Sequence, residues 1–262
     1  MVTVGELLRE WRKRRRMSQL DLALAADVSA RHVSLVETGK SRPSADMVLR
    51  LAAQLDVPLR DRNRLLFAAG HAPRYRERPL TGCDLEAAHD AVVAVLRAHE
   101  PYPALVIDRR WNIVLTNDAV DPFFGDVDPE LLKPPVNMVR LGLHPRGLAP
   151  KIVNFAQARA VIRARLSRQL AQAWDPELAA LYDELLASDA GDDATTVPIE
   201  SEIAIPMIIR HRGYDLKLFS TITTFGTPQD ITLDEIAIES YYPADAQTAE
   251  IFRHLDVRAT AG

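Results

Sequence analysis

The segment at residues 18–44, SQLDLALAADVSARHVSLVETGKSRPS, admits few folds. Ser18 is a good N-cap for an Ala-rich apolar run, "ADVS" interrupts that run, and Ser29 is placed to cap a second one. Two helices joined this closely must cross steeply. The crossing needs a short side chain, which Ala23 supplies, and the turn needs a residue with positive φ. Asp27 can adopt that conformation at modest cost where Gly would be easier. Leu20, Ala23 and Leu24 are expected to face inward, with Leu22 against the following helix. Val33 and Val36, three apart, point to the core and leave Ala30, Arg31, Ser34 and Leu35 outward. Gly39 stops the second helix, Pro43 marks a new start, and Ser44 caps "ADMVLRLAAQLDV".

The flanks extend the pattern. A first helix reads from Thr3 to about Arg16, with Val4, Leu7, Leu8 and Trp11 as its apolar stripe and cations at its C-terminal end, where they suit the macrodipole. A further helix runs from about Asp61 to Ala69. A bare helical hairpin is the bland reading of the central pair. The ordered features favour another: residues 1–70 resemble the five-helix, lambda-repressor-like helix-turn-helix domain of the Xre/Cro-like repressors. The resemblance rests on Gln19 opening the second helix, Ala23 at the crossing, Asp27 in the turn (where the family usually has Gly), Val33 and Val36, and then "ETGKSRPS".

The resemblance implies binding to double-stranded DNA, with the helix at 29–38 in the major groove and its N-terminal end at base edges. Gln19 and the backbone beginning at Ser29 would hold a phosphate. Lys40 and Arg42 are placed for backbone phosphates, which set register without reading sequence. Arg31 is the direct reader, because its fork suits guanine O6 and N7, while Ala30 and Leu35 would meet a thymine methyl beside Ser34. His32 reads as a packing or phosphate-side residue, and Glu37 as ordering a neighbouring Arg. One such helix covers too few base pairs for good specificity, so a homodimer on a palindromic operator is expected.

Charge agrees with this division. Residues 1–78 carry sixteen Arg and Lys against nine acids, a net +7, and the remainder carries −11. A basic module on an acidic domain suits polyanion binding. Apolar content of 47% supports a sizeable core. No run of ~18 apolar residues and no secretory leader is present, so a cytoplasmic protein with no membrane partner is expected. The single Cys83 can form no internal disulfide, and no Cys/His set has zinc spacing. No nucleophile elbow, phosphate loop or catalytic constellation appears, so neither an enzyme, a metal nor a resident cofactor is expected. Asp189, Asp192 and Asp193 read as a solvated loop.

Residues 71–82, within "GHAPRYRERPLTG", read as a linker rich in Pro, Gly and Arg. A helix at 84–99 opens a second domain, 83–256, followed by a tail at 257–262. "YPALVIDRRWNIVLTNDAV" is a hairpin signal, and "NDAVDPFF" a short helix capped by Asn117 or Asp118. Helical patterns follow at 135–142, 150–172 and 175–188. Three antiparallel strands follow in "EIAIPMIIRH", "YDLKLFSTITTFG" and "LDEIAIESYYP", with turns at Arg212-Gly213 and Thr227-Pro228, and a last helix covers 245–255. The overall class is thus mixed: an all-α domain followed by an α+β domain that closes one antiparallel sheet.

Residues of about 80–256 are similar to the ligand-binding domain of the MmyB-like transcription regulators, a PAS-like fold. The resemblance is carried by "VIDRRWNIVLTNDA", "LHPRGL…IVNF" and "FSTITTFGTPQDITLDEIAIESYYPAD". It implies a one-component bacterial regulator whose pocket takes an apolar small molecule, with a bound fatty acid or similar ligand the leading class. Trp111, Phe123, Phe124, Met138, Leu141, Phe155, Trp174 and Phe219 are candidates for the apolar wall, and Arg140 and His144 for a carboxylate head group. Arginines 159, 163, 165 and 168 read as the solvated side of a long helix. The alternative is a DNA-binding scaffold or antitoxin-like protein whose C-terminal domain binds a protein partner.

Overall fold

The computed structural model describes residues 2–173, 175–186 and 206–259. Trp174, the loop aspartates 189, 192 and 193, the strand onset at 203–205 and the end of the tail lie outside the described residues. The chain divides into two units: Met1–Asp84 with Phe225–Asp234, and Leu85–Thr224 with Glu235–Gly262.

Unit 1 is built on α1 (Val4–Arg14), α2 (Gln19–Ala25), α3 (Ala30–Glu37), α4 (Ala45–Gln54) and α5 (Leu59–Ala68). The first four helices are opened by Thr3, Ser18, Ser29 and Ser44, whose hydroxyls accept the N–H of the third helical residue. Glu6 and Asp21 complete capping boxes on α1 and α2. Asp27 has φ 52°, as the turn requires, and Val33 and Val36 are fully buried.

α2 corrects one expectation. Leu22, Ala23 and Ala26 are its buried face, and Leu20 and Leu24 are exposed. At 3.6 residues per turn, Leu20 and Leu24 each lie about 200° around the helix from Leu22, so burying Leu22 turns both outward. The close approach of α1 to α3 depends on a residue with no sequence signal. A Cβ on Gly5 would lie 2.5 Å from the Val36 carbonyl oxygen.

Several arginines of unit 1 serve helix ends. Arg15 donates to the Leu55 and Asp56 carbonyls at 2.8 and 2.9 Å, closing α4. Arg42 donates to the Ala69 and Gly70 carbonyls at 2.9 and 3.3 Å, closing α5. The start of α5, at Pro58, has no side-chain cap of its own. The Leu59 N–H instead donates to Asp234 Oδ2 at 2.9 Å, from a residue 175 positions away.

The expected linker is folded into unit 1. Asn63 binds the Tyr75 carbonyl at 2.7 Å and accepts from the Arg74 and Tyr75 N–H groups. Beyond it, Ile231 N–H donates to the Arg76 carbonyl, Thr232 Oγ1 to the Arg78 carbonyl, and Arg78 Nε to the buried Asp230 carboxylate at 2.8 Å. Residues 225–234 are therefore no tight turn at Thr227-Pro228. They lead into α11 (Ile231–Glu235), and Asp230 accepts from the Thr232 N–H as the chain enters it. The apparent alternation from Leu233 onward is helical until the next strand begins at Ala237.

Unit 2 opens with α6 (Glu86–Ala98) and holds one five-stranded sheet, ordered β2-β1-β5-β4-β3 and antiparallel throughout. The strands are β1 (Ala104–Ile107), β2 (Ile113–Thr116), β3 (Met207–His211), β4 (Tyr214–Thr223) and β5 (Ala237–Pro243). Between β2 and β3 lie α7 (Asp121–Phe124), α8 (Met138–Leu143), α9 (Phe155–Gln172) and α10 (Pro176–Leu186), and α12 (Ala246–Ala259) follows the sheet. Arg212 and Gly213 join β3 to β4 with φ 48° and 84°, the geometry a two-residue hairpin favours. Neither Asn117 nor Asp118 caps α7, whose N-cap is Val120. Asn117 is buried and answers backbone groups instead: it accepts from the Ala104 N–H and donates to the Tyr102 and Leu96 carbonyls.

Candidate functional site

Two sites emerge, one in each unit. In unit 1, Glu37 closes α3 and is buried. It accepts from Arg12 Nε at 2.6 Å, Arg12 NH2 at 2.8 Å and Gln19 Nε2 at 2.8 Å. Burial pushes the Glu37 carboxyl up, but hydrogen bonds from Arg12 and Gln19 and the charges of Arg12 and Arg9 hold it below the usual carboxylate range. This network ties α1, the first residue of α2 and the last of α3 together, so it fixes how α3 is presented. The Gln19 amide is engaged here, the Ser29 hydroxyl is engaged by the His32 N–H, and Arg42 is engaged at the end of α5.

Arg31 and Lys40 differ from these. Both are exposed, and among the described residues neither side chain makes a hydrogen bond or an ion pair. Arg31 lies in the first turn of α3, and Lys40 just beyond Glu37, the last residue of α3. Ala30, Ser34 and Leu35 are half-buried beside them. The face thus carries unneutralised cations at both ends and small or apolar groups between. That composition suits phosphate contact at the margins and base contact at the helix start.

In unit 2 a cavity of about 150 Å³ opens beside the sheet. Of the expected lining residues, Trp111, Phe123, Phe124 and Met138 line it, joined by Leu105, Val139, Gly142, Ile209 and Leu218. The other described candidates lie elsewhere. α8 turns Met138, Val139 and Gly142 toward the cavity and Leu141 away from it, into a cluster with Val127, Leu148 and Ile152. On β4, Leu218 and Ser220 face the cavity, so the two-residue period puts Phe219 on the opposite face, stacked on Tyr242 at 5.3 Å. Phe155 packs against the adjoining cores. Arg140 is paired with Glu184 on α10, and His144 Nδ1 accepts the Arg146 N–H at 3.0 Å, shaping the "LHPRG" turn. Neither Arg140 nor His144 lines the cavity.

Among the described residues, the polar groups that do line it are Arg165, Ser220, Glu239 and Tyr241. The expectation of a solvated Arg165 is corrected. Its NH1 donates to Glu239 Oε1 at 3.1 Å, and its guanidinium lies over the Trp111 ring at 4.4 Å. Trp111 holds φ 68°, a conformation uncommon for a bulky residue. Its indole N–H is fixed by Gln169 at 2.9 Å. A signal for Arg165 was present in the sequence. Ala158, Val161, Ile162 and Arg165 share one helical face, so an arginine ends the apolar stripe that lines the cavity. Glu239 sits likewise between Ala237 and Tyr241 in the alternation of β5.

Among the described residues no helix is long and apolar enough to cross a membrane, and no group of three His, Cys, Asp or Glu could hold a metal. Residues 8–61 match the helix-turn-helix family, and residues 88–255 match the MmyB-like transcription regulator ligand binding domain. Both are regulator domains, one DNA-binding and one ligand-binding, and neither is an enzyme family. No curated protein matches the chain. Among solved structures, "Structure of an RNA-binding Light-Oxygen-Voltage Receptor" aligns at 16% identity, covering 100% of this chain and 69% of the other. Its TM-score of 0.29 is too low to carry an argument about fold or function. With both family matches in sequence order over the two units just described, the chain belongs to the MmyB-like transcription regulators: a DNA-binding regulator that carries its own ligand-binding domain.

Proposed function

We propose that the protein is a one-component bacterial regulator, cytoplasmic and homodimeric, that reads a palindromic operator through α3 and is modulated by an apolar small molecule in the cavity of unit 2. The observation that carries the DNA half is the state of Arg31 and Lys40: two exposed cations with unpaired side chains at the ends of α3, while the neighbouring Gln19, Ser29 and Arg42 side chains are engaged internally. Arg31 reads a base edge and Lys40 meets a phosphate. Gln19, Ser29, Ala30, Ser34 and Leu35 complete the surface with backbone and apolar contacts. Arg42 acts mainly by holding α5.

The ligand half rests on the cavity. An apolar space of ~150 Å³ is enough for a benzene-sized guest, or about six carbons. The apolar body of the ligand is therefore a short acyl-like chain or a single ring. Affinity should rise by ~0.8 kcal/mol per methylene until the cavity is full and then fall.

The coupling route runs through the chain itself. β4 and β5 bring Leu218, Ser220, Glu239 and Tyr241 to the cavity, and the segment between them, 225–234, belongs to unit 1, where Asp234 caps α5 and Asp230 holds Arg78. A ligand that shifts β4 against β5 acts on that segment. It changes operator affinity by its differential binding to the two states.

The operator half is tested by selecting duplexes from a random pool and sedimenting the complex. Recovery of an inverted repeat bound by two chains supports it. A single chain on a site without symmetry contradicts it.

A further inference from the structure

Resting on the reading of the cavity as the ligand site, we infer that its polar end selects an uncharged head group with both a hydrogen-bond donor and an acceptor, such as a primary amide or an alcohol, and discriminates against a carboxylate. Among the described residues that line the cavity the charged ones are Arg165 and Glu239, and they bind each other at 3.1 Å. The Glu239 side chain is 5% exposed. The polar end is therefore neutral as a pair, with its carboxylate shielded from water and its guanidinium 25% exposed.

A carboxylate entering it would meet Arg165 only by bringing a second negative charge beside Glu239. In a poorly solvated site like charges at that range repel strongly. The Trp111 ring lies against the guanidinium at 4.4 Å and holds it beside Glu239. An uncharged head group meets no such penalty. Its oxygen accepts from Arg165, whose guanidinium carries five N–H donors and gives one to Glu239 in the described structure. Its N–H or O–H donates to the Glu239 carboxylate. Tyr241, two residues along β5 and opposite Ser220 in the sheet register, adds a hydroxyl on the same wall. Burial, and then the charge of Glu239, push the Tyr241 hydroxyl well above its ordinary pKa, so it stays protonated beside Glu239.

The test is titration of the full-length protein at pH 7 with hexanamide, hexan-1-ol and hexanoate, followed by calorimetry and by tryptophan fluorescence. The three probes share a chain length and differ at the head. Hexanamide and hexan-1-ol should each bind at least tenfold tighter than hexanoate. In Glu239→Gln, Arg165 loses its ionic partner, and hexanoate should gain at least tenfold and overtake the amide. If that variant does not fold, the ranking on the wild-type protein decides alone. Hexanoate binding as tightly as hexanamide to the wild type overturns the inference and leaves the cavity as a ligand site. Binding of none of the three by either readout removes the cavity as the ligand site and this inference with it.

Discussion

The two units use their arginines in opposite ways. In unit 1, Arg12, Arg15 and Arg42 are drawn into the fold, answering a buried carboxylate and the carbonyls at helix ends, and the surface keeps Arg31 and Lys40 for a partner. In unit 2 the arginine at the candidate ligand site is the internal one. Arg165 lies in an apolar cavity against Glu239 and Trp111, while Arg140 and Arg146 form outer ion pairs with Glu184 and Asp128. A polyanion such as DNA is met by charge left on the outside, where counterion release favours binding. A small ligand is met by charge neutralised on the inside, where water is excluded. Net charge thus overstates the DNA-binding surface of unit 1, because much of the +7 of residues 1–78 is occupied by the fold.

The sharpest way to break this contrast is to remove an internal partner. Glu37→Ala strands a buried Arg12 and frees Gln19, so it should destabilise unit 1 by ~3 kcal/mol. Urea unfolding followed by hydrogen exchange at the α3 amides measures it. A loss below about 1 kcal/mol would mean that the network does not set the position of α3. The surface cations should behave otherwise. Arg31→Ala should leave stability unchanged, cost ~1–3 kcal/mol on the selected operator and relax preference at one base position. Lys40→Ala should weaken all duplexes alike and reduce the salt slope by about 1. Operator titrations at several salt concentrations separate the two.

A smaller effect is expected where the chain returns to unit 1. Asp234→Ala removes the cap on α5 and should cost ~1 kcal/mol of unit 1 stability. It should also reduce the effect of ligand on operator binding. Full ligand response in that variant would remove residues 225–234 from the coupling route.

The smallest effect distinguishes the units by pH. Burial, then the charges of Arg212 and Lys151, hold buried His211 below its ordinary value of 6.5, with Asp126 opposing. The unfolded chain therefore takes up a proton that the folded sheet resists, and unit 2 should lose stability as pH falls below ~6.5. Glu37 is depressed from 4.5, so its contribution is present above that value and is lost only as pH falls further, through its lower folded pKa. Between pH 6.5 and 5, exchange of the β3 and β4 amides, corrected for intrinsic rate, should quicken before that of α3. His211→Gln should remove the difference.

The sequence made unit 1 legible because its rules are local. N-caps at Ser18, Ser29 and Ser44, the positive φ of Asp27 and the spacing of Val33 and Val36 all act within one helix or turn, and each can be read from neighbours. What was missed there is tertiary: the cap on α5 comes from Asp234, and the gap at Gly5 is required by the backbone of α3. The cavity of unit 2 was less legible because it is assembled from α8, α9, β4 and β5, whose mutual register decides which neighbour faces in. Leu141 and Val139, or Phe219 and Ser220, look equally suitable as residue types. Only the helix rotation and the pairing of Ser220 with Tyr241 decide between them.

The central claim is that filling the cavity of unit 2 changes DNA binding by unit 1, and Gly142 offers a direct test. It lines the cavity, and a Cβ placed on it meets nothing within 4 Å, so Gly142→Leu should occupy the space without disturbing the fold. Replacing a helical glycine should also stabilise α8 by ~0.5–1 kcal/mol. The measurement is the operator dissociation constant, by fluorescence anisotropy, with and without saturating hexanamide, for the wild type and for Gly142→Leu. At least a threefold shift is expected in the wild type and none in the variant, with both still binding the operator. No shift in the wild type, or an equal shift in both, would contradict it.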